Sequence, residues 1–410
     1  MNPTQFFREG LVEIREHLGR TLLQTLGVIL GVASVVATLG MTSSMDARQD
    51  QYYRESGGTL LMGVYNQPPA QLEMTARQRA RTGLKLSDAA AIRDTIDGFD
   101  LVVAEIARNH RVRAGATEER FRITAIEPEF MQMRELTMGS GRYITPHDME
   151  TAAAVVVLGS TRARELFGTA DPVGKLLNID GKAYTVVGVT KEMVFYWQRS
   201  DNYNAHEWLN RLIVVPITSY MKRHQEAGAE RIDELNLRLR SPEAHEEARK
   251  TLELLLRSRH GIEDFGVWDR KERIDQGNQE GMIYNLTFLA CGIISLLVGG
   301  IVVANIMLAS FTERMREVGV RKALGATGWQ IFAQFLIETM VVTVCGGGVG
   351  LALGIVGTWG IMNVMQMEMV VTPLMVAVAL LAASVVGFVF GMYPAVKAGR
   401  LDPVVALRYE

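Results

Sequence analysis

Four apolar runs, each long enough to cross a bilayer, divide this chain unevenly. The first, residues 21–41 (TLLQTLGVILGVASVVATLGM), holds no charged residue. At about 1.5 Å of helical rise per residue it matches roughly 30 Å of hydrocarbon. The other three, residues 284–311, 331–362 and 374–396, crowd the C-terminal part. Such a pattern demands a membrane helix bundle with one large polar domain looped out between the first and second helices.

Residues 311–326 (FTERMREVGVRKALGA) join the second and third runs and carry Glu313, Arg314, Arg316, Glu317, Arg321 and Lys322. A central Arg or Lys costs about 2.5–3.5 kcal/mol in the bilayer, so this connector lies at one membrane face. Arg8, Arg15 and Arg20 precede the first run, and Lys397, Arg400 and Arg408 follow the fourth, whereas residues 362–372 hold no Lys or Arg. The positive-inside rule therefore puts both termini and the connector in the cytoplasm and the large segment outside. Glu9, Glu13 and Glu16 before the first run, with no small-residue cleavage motif after it, mark a retained anchor.

The expected organisation is an amphipathic interfacial helix at 1–20, built on Phe6, Phe7, Leu11, Ile14 and Leu18. Transmembrane helices follow at 21–42, 282–311, 329–361 and 373–396. An extracytoplasmic domain occupies 43–281, a cytoplasmic coupling segment 312–328, an outer loop 362–372 and a cytoplasmic tail 397–410. The fold class is thus four transmembrane α-helices plus a large mixed α/β extracytoplasmic domain inserted after the first.

Net charge of −2 provides no basic face for nucleic acid. The only cysteines, Cys291 and Cys345, fall in apolar runs, so no disulfide framework supports the polar domain. Seven scattered histidines include no i,i+4 pair and no neighbouring cysteine, so no metal site is expected. Within the domain the pattern predicts a helix over 84–96 with Ser87 as N-cap, strands at 121–126, 152–158, 212–216 and 235–239, and a helix over 161–167. A hairpin over 176–189 turns at Asp180-Gly181, and an amphipathic helix spans 243–260. The domain's end strands should meet, because both ends return to membrane helices.

Residues 168–176 (GTADPVGKL) miss the phosphate-loop pattern in glycine spacing and in Leu176, which replaces a Ser or Thr; a turn is expected instead. His147-Asp148 reads as a surface pair, and neither G-x-S-x-G nor H-E-x-x-H occurs, so no catalytic residue is assigned. Gly27 and Gly31, and Gly346, Gly350 and Gly354, line helix faces that pack closely, within the chain or against a second subunit. Glu338 near the cytoplasmic end of the third run is expected to snorkel. Phe195, Tyr196, Trp197, Tyr203 and Trp208 form either an extracytoplasmic contact surface or an aromatic-anchored loop.

Ordered blocks along the chain resemble one family. They are TLGVILGVASVV, LSDAAAIRDTI, GRYITPHD, AVVVLGSTRARELFGTADPVGKLLNIDGKAYTVVGV, IVVPITS, TERMREVGVRKALGAT and GMYPAVKAGRLDPVVALRYE. The chain resembles MacB-type permease subunits of ABC transporters, a group that includes FtsX and the lipoprotein-releasing LolC and LolE. The resemblance implies a dimer of permeases, of this chain or with a paralogue, in the bacterial cytoplasmic membrane. Each coupling helix would dock on a cytosolic ATPase that binds ATP and Mg, with an optional periplasmic adaptor and membrane lipids as further partners. Docking would fall on Glu313, Arg314, Arg316, Glu317, Val318, Gly319, Arg321 and Lys322, with Gly325 and Ala326 at the turn. MacB carries a nucleotide-binding domain before its first span, and no Walker motif occurs here, so the ATPase is expected on a separate chain. The alternative is an FtsX-like regulator that passes force to an outer partner without transport; a membrane-anchored sensor would leave the charged connector unused.

Overall fold

The computed structural model describes residues 18–68, 75, 82–115, 117–198, 203–225, 230–365 and 367–407; the helix expected at 1–20 lies almost wholly outside them. Helix α1 (Leu18–Glu55) is followed by β1 (Leu61–Asn66), α2 (Leu86–Thr95), β2 (Phe99–Ala114), β3 (Thr117–Ile126) and β4 (Met138–Gly141). Then come β5 (Val155–Leu158), α3 (Ser160–Phe167), β6 (Leu176–Ile179), β7 (Lys182–Thr190), β8 (Ile213–Pro216), α4 (Ile217–His224), β9 (Glu234–Leu239), α5 (His245–His260) and β10 (Phe265–Asp269). The chain continues through α6 (Arg270–Glu313), α7 (Met315–Ala323), α8 (Gly328–Val364), α9 (Pro373–Gly399) and α10 (Pro403–Leu407). Two compact units result, one of residues up to Arg48 and from Asn278 onward, the other of nearly all those between.

In the first unit α1, α6, α8 and α9 are long and apolar enough to cross a membrane. Helix α1 runs on to Glu55 and α6 starts at Arg270, past the limits of 42 and 282 read from hydropathy. Hydropathy marks where lipid ends, and a polar helix can continue beyond it. Small residues let the helices close up. A Cβ at Gly27 would lie 2.3 Å from Gly299 Cα, and one at Gly350 would lie 2.7 Å from Ile29 O. Gly31 meets Leu296, Gly346 meets Thr25 and Gly354 meets Val36, so both glycine rows pack within this chain. Between α8 and α9, Gly387 and Gly391 face Thr343 and Thr339. Those hydroxyls donate back to Thr339 O and Phe335 O, 2.9 Å each, so neither hydroxyl is left unmet in the seam.

The inserted unit is built on one ten-stranded sheet, ordered β10-β1-β9-β2-β3-β8-β5-β7-β4, with β6 pairing β2 and β7. As expected, the end strands meet: β1 pairs antiparallel with β10, Met62 opposite Asp269 and Asn66 opposite Phe265. Arg270 Nη1 donates to Ser56 O and Gly58 O, tying the chain's exit from this domain to its entry. Strand β7 buries alternate residues, and α5 buries Ala248, Leu252, Leu256 and His260 at four-residue intervals; Tyr184 and Val186 of β7 and the three apolar residues of α5 join Ile92, Ile106, Leu235 and Leu237 in the core. Helix α2 begins at Leu86. Its first turn is closed by Asp88, whose carboxylate accepts Lys85 N–H at 2.8 Å, instead of by Ser87.

Buried His260 bridges this helix to α5. Its Nδ1 lies 2.6 Å from Asp264 Oδ1 and its Nε2 3.2 Å from Asp88 Oδ2, while Arg259 donates to Asp88 Oδ1. Hydrogen bonds from His260 to both carboxylates, Asp264 first, raise it from 6.5 to about 9. Burial pushes Asp88 and Asp264 up, but their bonds to His260, joined by Arg259 and Lys85 N–H on Asp88 and by Gly83 N–H on Asp264, together outweigh it and both end low. The imidazolium's contribution is complete below pH 6.5 and disappears as pH rises through about 9; that of the carboxylates fades as pH falls below their usual range. Thermal unfolding of the purified chain should therefore lose roughly 3 kcal/mol between pH 6.5 and 9.5. An equally steep decline in His260→Gln would reject that origin.

Candidate coupling site

The connector folds as α7, separated from α6 by one residue. Arg314, at φ −99° and ψ 13°, bends the path, yet Arg314 N still donates to Ser310 O (3.1 Å) and Val318 N to Arg314 O (3.0 Å). The far end is a Schellman stop: Gly325 takes φ +101°, with Gly325 N on Lys322 O and Ala326 N on Arg321 O. Thr327 then caps α8, accepting Gln330 N while Gln330 Oε1 accepts Thr327 N–H.

One side of α7 is locked to the membrane unit. Val318 and Gly319 are buried, and a Cβ at Gly319 would come within 2.5 Å of Ala406 Cβ in α10. Lys322 Nζ donates to Gly399 O (2.6 Å) and Leu401 O (2.8 Å), placing its charge on the negative C-terminal end of α9. Arg314 Nη1 reaches Glu338 Oε1 at 3.3 Å. Glu338 therefore does not snorkel alone: it is 8% exposed and turned inward onto a cation that sequence distance had hidden. Ala326 packs as a partly buried residue beside the same cluster as Phe311 and Phe335, whose rings lie 5.9 Å apart.

The opposite side is open. Arg316 and Glu317 project outward, and Glu317 pairs with Arg321 at 2.6 Å. Exposed apolar side chains absent from the expected docking set lie on α7 and on the elements next to it: Leu324 just past α7 (84% exposed), Trp329 in the first turn of α8 (73%) and Val404 on α10 (73%), with Val320 and Val405. Their signal in the sequence was weak, because isolated Leu, Trp and Val beside apolar runs read as span ends. Glu313 and Gly325 are exposed as well.

Elsewhere the candidate contacts divide. Phe195 is buried, its ring 5.3 Å from Tyr52 and from Trp197. Asn204 Oδ1 accepts the N–H groups of Phe195 and His206, and Asn210 Oδ1 accepts that of Met193, so the aromatic segment is stapled to its own domain. Trp208 lies under Arg134, and Tyr203 is the most exposed of the five, with Tyr196, Trp197 and Trp208 exposed to a smaller degree. Residues 168–176 form a turn: Asp171 Oδ1 accepts Val173 N–H at 3.0 Å, and Gly168 and Gly174 take positive φ.

Four membrane-crossing helices, an α/β domain inserted after the first and a connector helix locked to the bundle define a multi-pass membrane protein of the permease class. The family model for the MacB-like periplasmic core domain matches residues 21–255, and that for the FtsX-like permease C-terminal region matches residues 289–403. The chain belongs to the MacB/FtsX family of ABC transporter permeases. The uncharacterized ABC transporter permease YknZ of Bacillus subtilis is 30% identical over 413 residues, covering 100% of both chains. The macrolide export ATP-binding/permease protein MacB of Bdellovibrio bacteriovorus is 29% identical, covering 99% of this chain and 62% of its own length. MacB of Azoarcus is 33% identical over 98% of this chain and 59% of its own. The chain thus spans less than two thirds of these MacB relatives. The periplasmic region of MacB from Actinobacillus actinomycetemcomitans is similar at 19% identity and TM-score 0.44, over 55% of this chain and 95% of that one.

Proposed function

We propose that this permease couples ATP hydrolysis by a separate cytosolic ATPase to movement of its extracytoplasmic domain, extruding a substrate. The ATPase docks on the outward side of α7, through Arg316, Glu317, Val320, Arg321, Leu324 and the neighbouring Trp329 and Val404. ATP and magnesium are held by that partner. The observation that carries the reading is the two-sidedness of α7: an apolar and charged patch faces out, while Gly319, Lys322 and Arg314 clamp the other side to α8, α9 and α10. A load on the patch is then passed to the membrane helices instead of melting the connector. Both termini are cytoplasmic in this scheme, and two permeases act together, each delivering force through the two chain connections that Arg270 ties at the domain's base.

Photo-crosslinking from a reactive group placed at Leu324 in living cells tests the docking. The expected adduct is an ABC ATPase, identified by mass spectrometry, and Arg316→Glu in the same chain should reduce it at least ten-fold without lowering the amount in the membrane. Cross-links only to lipid or to extracytoplasmic proteins would overturn both docking and orientation.

A further inference from the structure

His110, Asp180 and His224 stand 70 and 44 residues apart in sequence, which concealed them from any spacing rule. The fold brings them together from the body of β2, the β6–β7 turn and the last residue of α4. One ligand atom from each lies within 4.8 Å of the other two. His110 Nδ1 is 2.5 Å from Asp180 Oδ2, and Asp180 Oδ1 accepts Arg111 N–H at 2.9 Å. Asp180 holds its position because it sits at φ +47°, ahead of Gly181 at φ +81°, in the hairpin turn that Asp-Gly favours.

Both imidazoles are also held from behind. His110 Nε2 lies 2.7 Å from the Tyr220 hydroxyl, and His224 Nε2 lies 3.1 Å from the Tyr184 hydroxyl. Tyr184 and Tyr220 are buried. An outer hydrogen bond on one ring nitrogen is the usual way a protein aims the other nitrogen at a metal. The two rings are 5.0 Å apart, and Asp180 remains 44% exposed in its side chain, which leaves solvent a way in.

We propose that His110, Asp180 and His224 form a site for a divalent transition-metal ion of the zinc type in the inserted domain. Two imidazole nitrogens and one carboxylate, with a fourth position left to water, make a donor set that zinc accepts. Calcium and magnesium would require mainly oxygen donors. Binding replaces the His110–Asp180 hydrogen bond and draws the three ligands closer, pinning the β6–β7 hairpin to α4 and β2. Lys182 and Arg223 lie near enough to His224 to oppose a dication, so the expected dissociation constant is on the order of micromolar, not nanomolar.

The test uses the full chain in detergent, without a polyhistidine tag and stripped by chelator, titrated with zinc chloride in a calorimeter. One equivalent should bind, with a rise in the thermal midpoint, and His224→Ala or Asp180→Asn should weaken binding at least 100-fold. Tyr220→Phe keeps every ligand and the ring, so it should fold normally and lose roughly ten-fold in affinity. Absence of saturable binding, or one equivalent whose affinity is unchanged in all three variants, would overturn the assignment.

Discussion

Gly27→Leu is expected to abolish assembly of the membrane unit, leaving little monodisperse protein after detergent extraction. A Cβ at this position would lie 2.3 Å from Gly299 Cα, and one at Gly299 would lie 2.5 Å from Gly27 C. Both near atoms are backbone, so no side chain can swing aside, and the helices must separate. Overpacking by a few methylenes costs about 1–3 kcal/mol in a core that can adjust; a backbone collision between two helices should exceed that range. Separation would also unseat α1 from the row formed by Gly346, Gly350 and Gly354. Gly348→Leu is the matched control, because nothing lies within 4 Å of its Cβ position. Equal yield and thermal stability for the two variants would contradict the packing.

On the proposed coupling, Gly319→Trp should insert normally yet lower ATP-driven transport in vesicles at least ten-fold, about 1.4 kcal/mol. A Cβ there already comes to 2.5 Å from Ala406 Cβ, so an indole must lift α10 away from α7. The outward patch loses its alignment, because Val404 and Val405 ride on α10. Arg316→Glu should reduce transport by a different route, through charge reversal on the exposed side with α10 still seated. Limited proteolysis separates the two: only Gly319→Trp should make residues 403–407 cleavable. Wild-type transport by Gly319→Trp would remove α7 from the force path.

Local chemistry explains what could be read early. The four spans were legible because lipid demands long uncharged helices, and the connector because its charges cannot enter hydrocarbon. The Asp180-Gly181 hairpin followed from turn preferences, and the 243–260 helix from its apolar spacing. Other elements lacked such a local signal. Strand β2 runs for 16 residues through Arg108, Asn109, His110 and Arg111, a polar stretch that becomes strand by pairing β3, β6 and β9. Ser87 looked like a cap, but Asp88 took the role because His260 and Arg259 hold its carboxylate in place.

The division for the site is similar. That α7 lies between two membrane helices and carries exposed charge was determined by the sequence alone, since hydropathy and charge are properties of residues. Which face looks outward was decided by the tertiary structure. Val318, Gly319 and Lys322 stand in the same charged run as Arg316 and Arg321, and only the arrival of α9 and α10 from far along the chain turns them inward. The pairing of Arg314 with Glu338 and the meeting of His110, Asp180 and His224 arise in the same way. Contacts between residues distant in sequence depend on how whole elements stack, and no window of neighbouring residues contains that information.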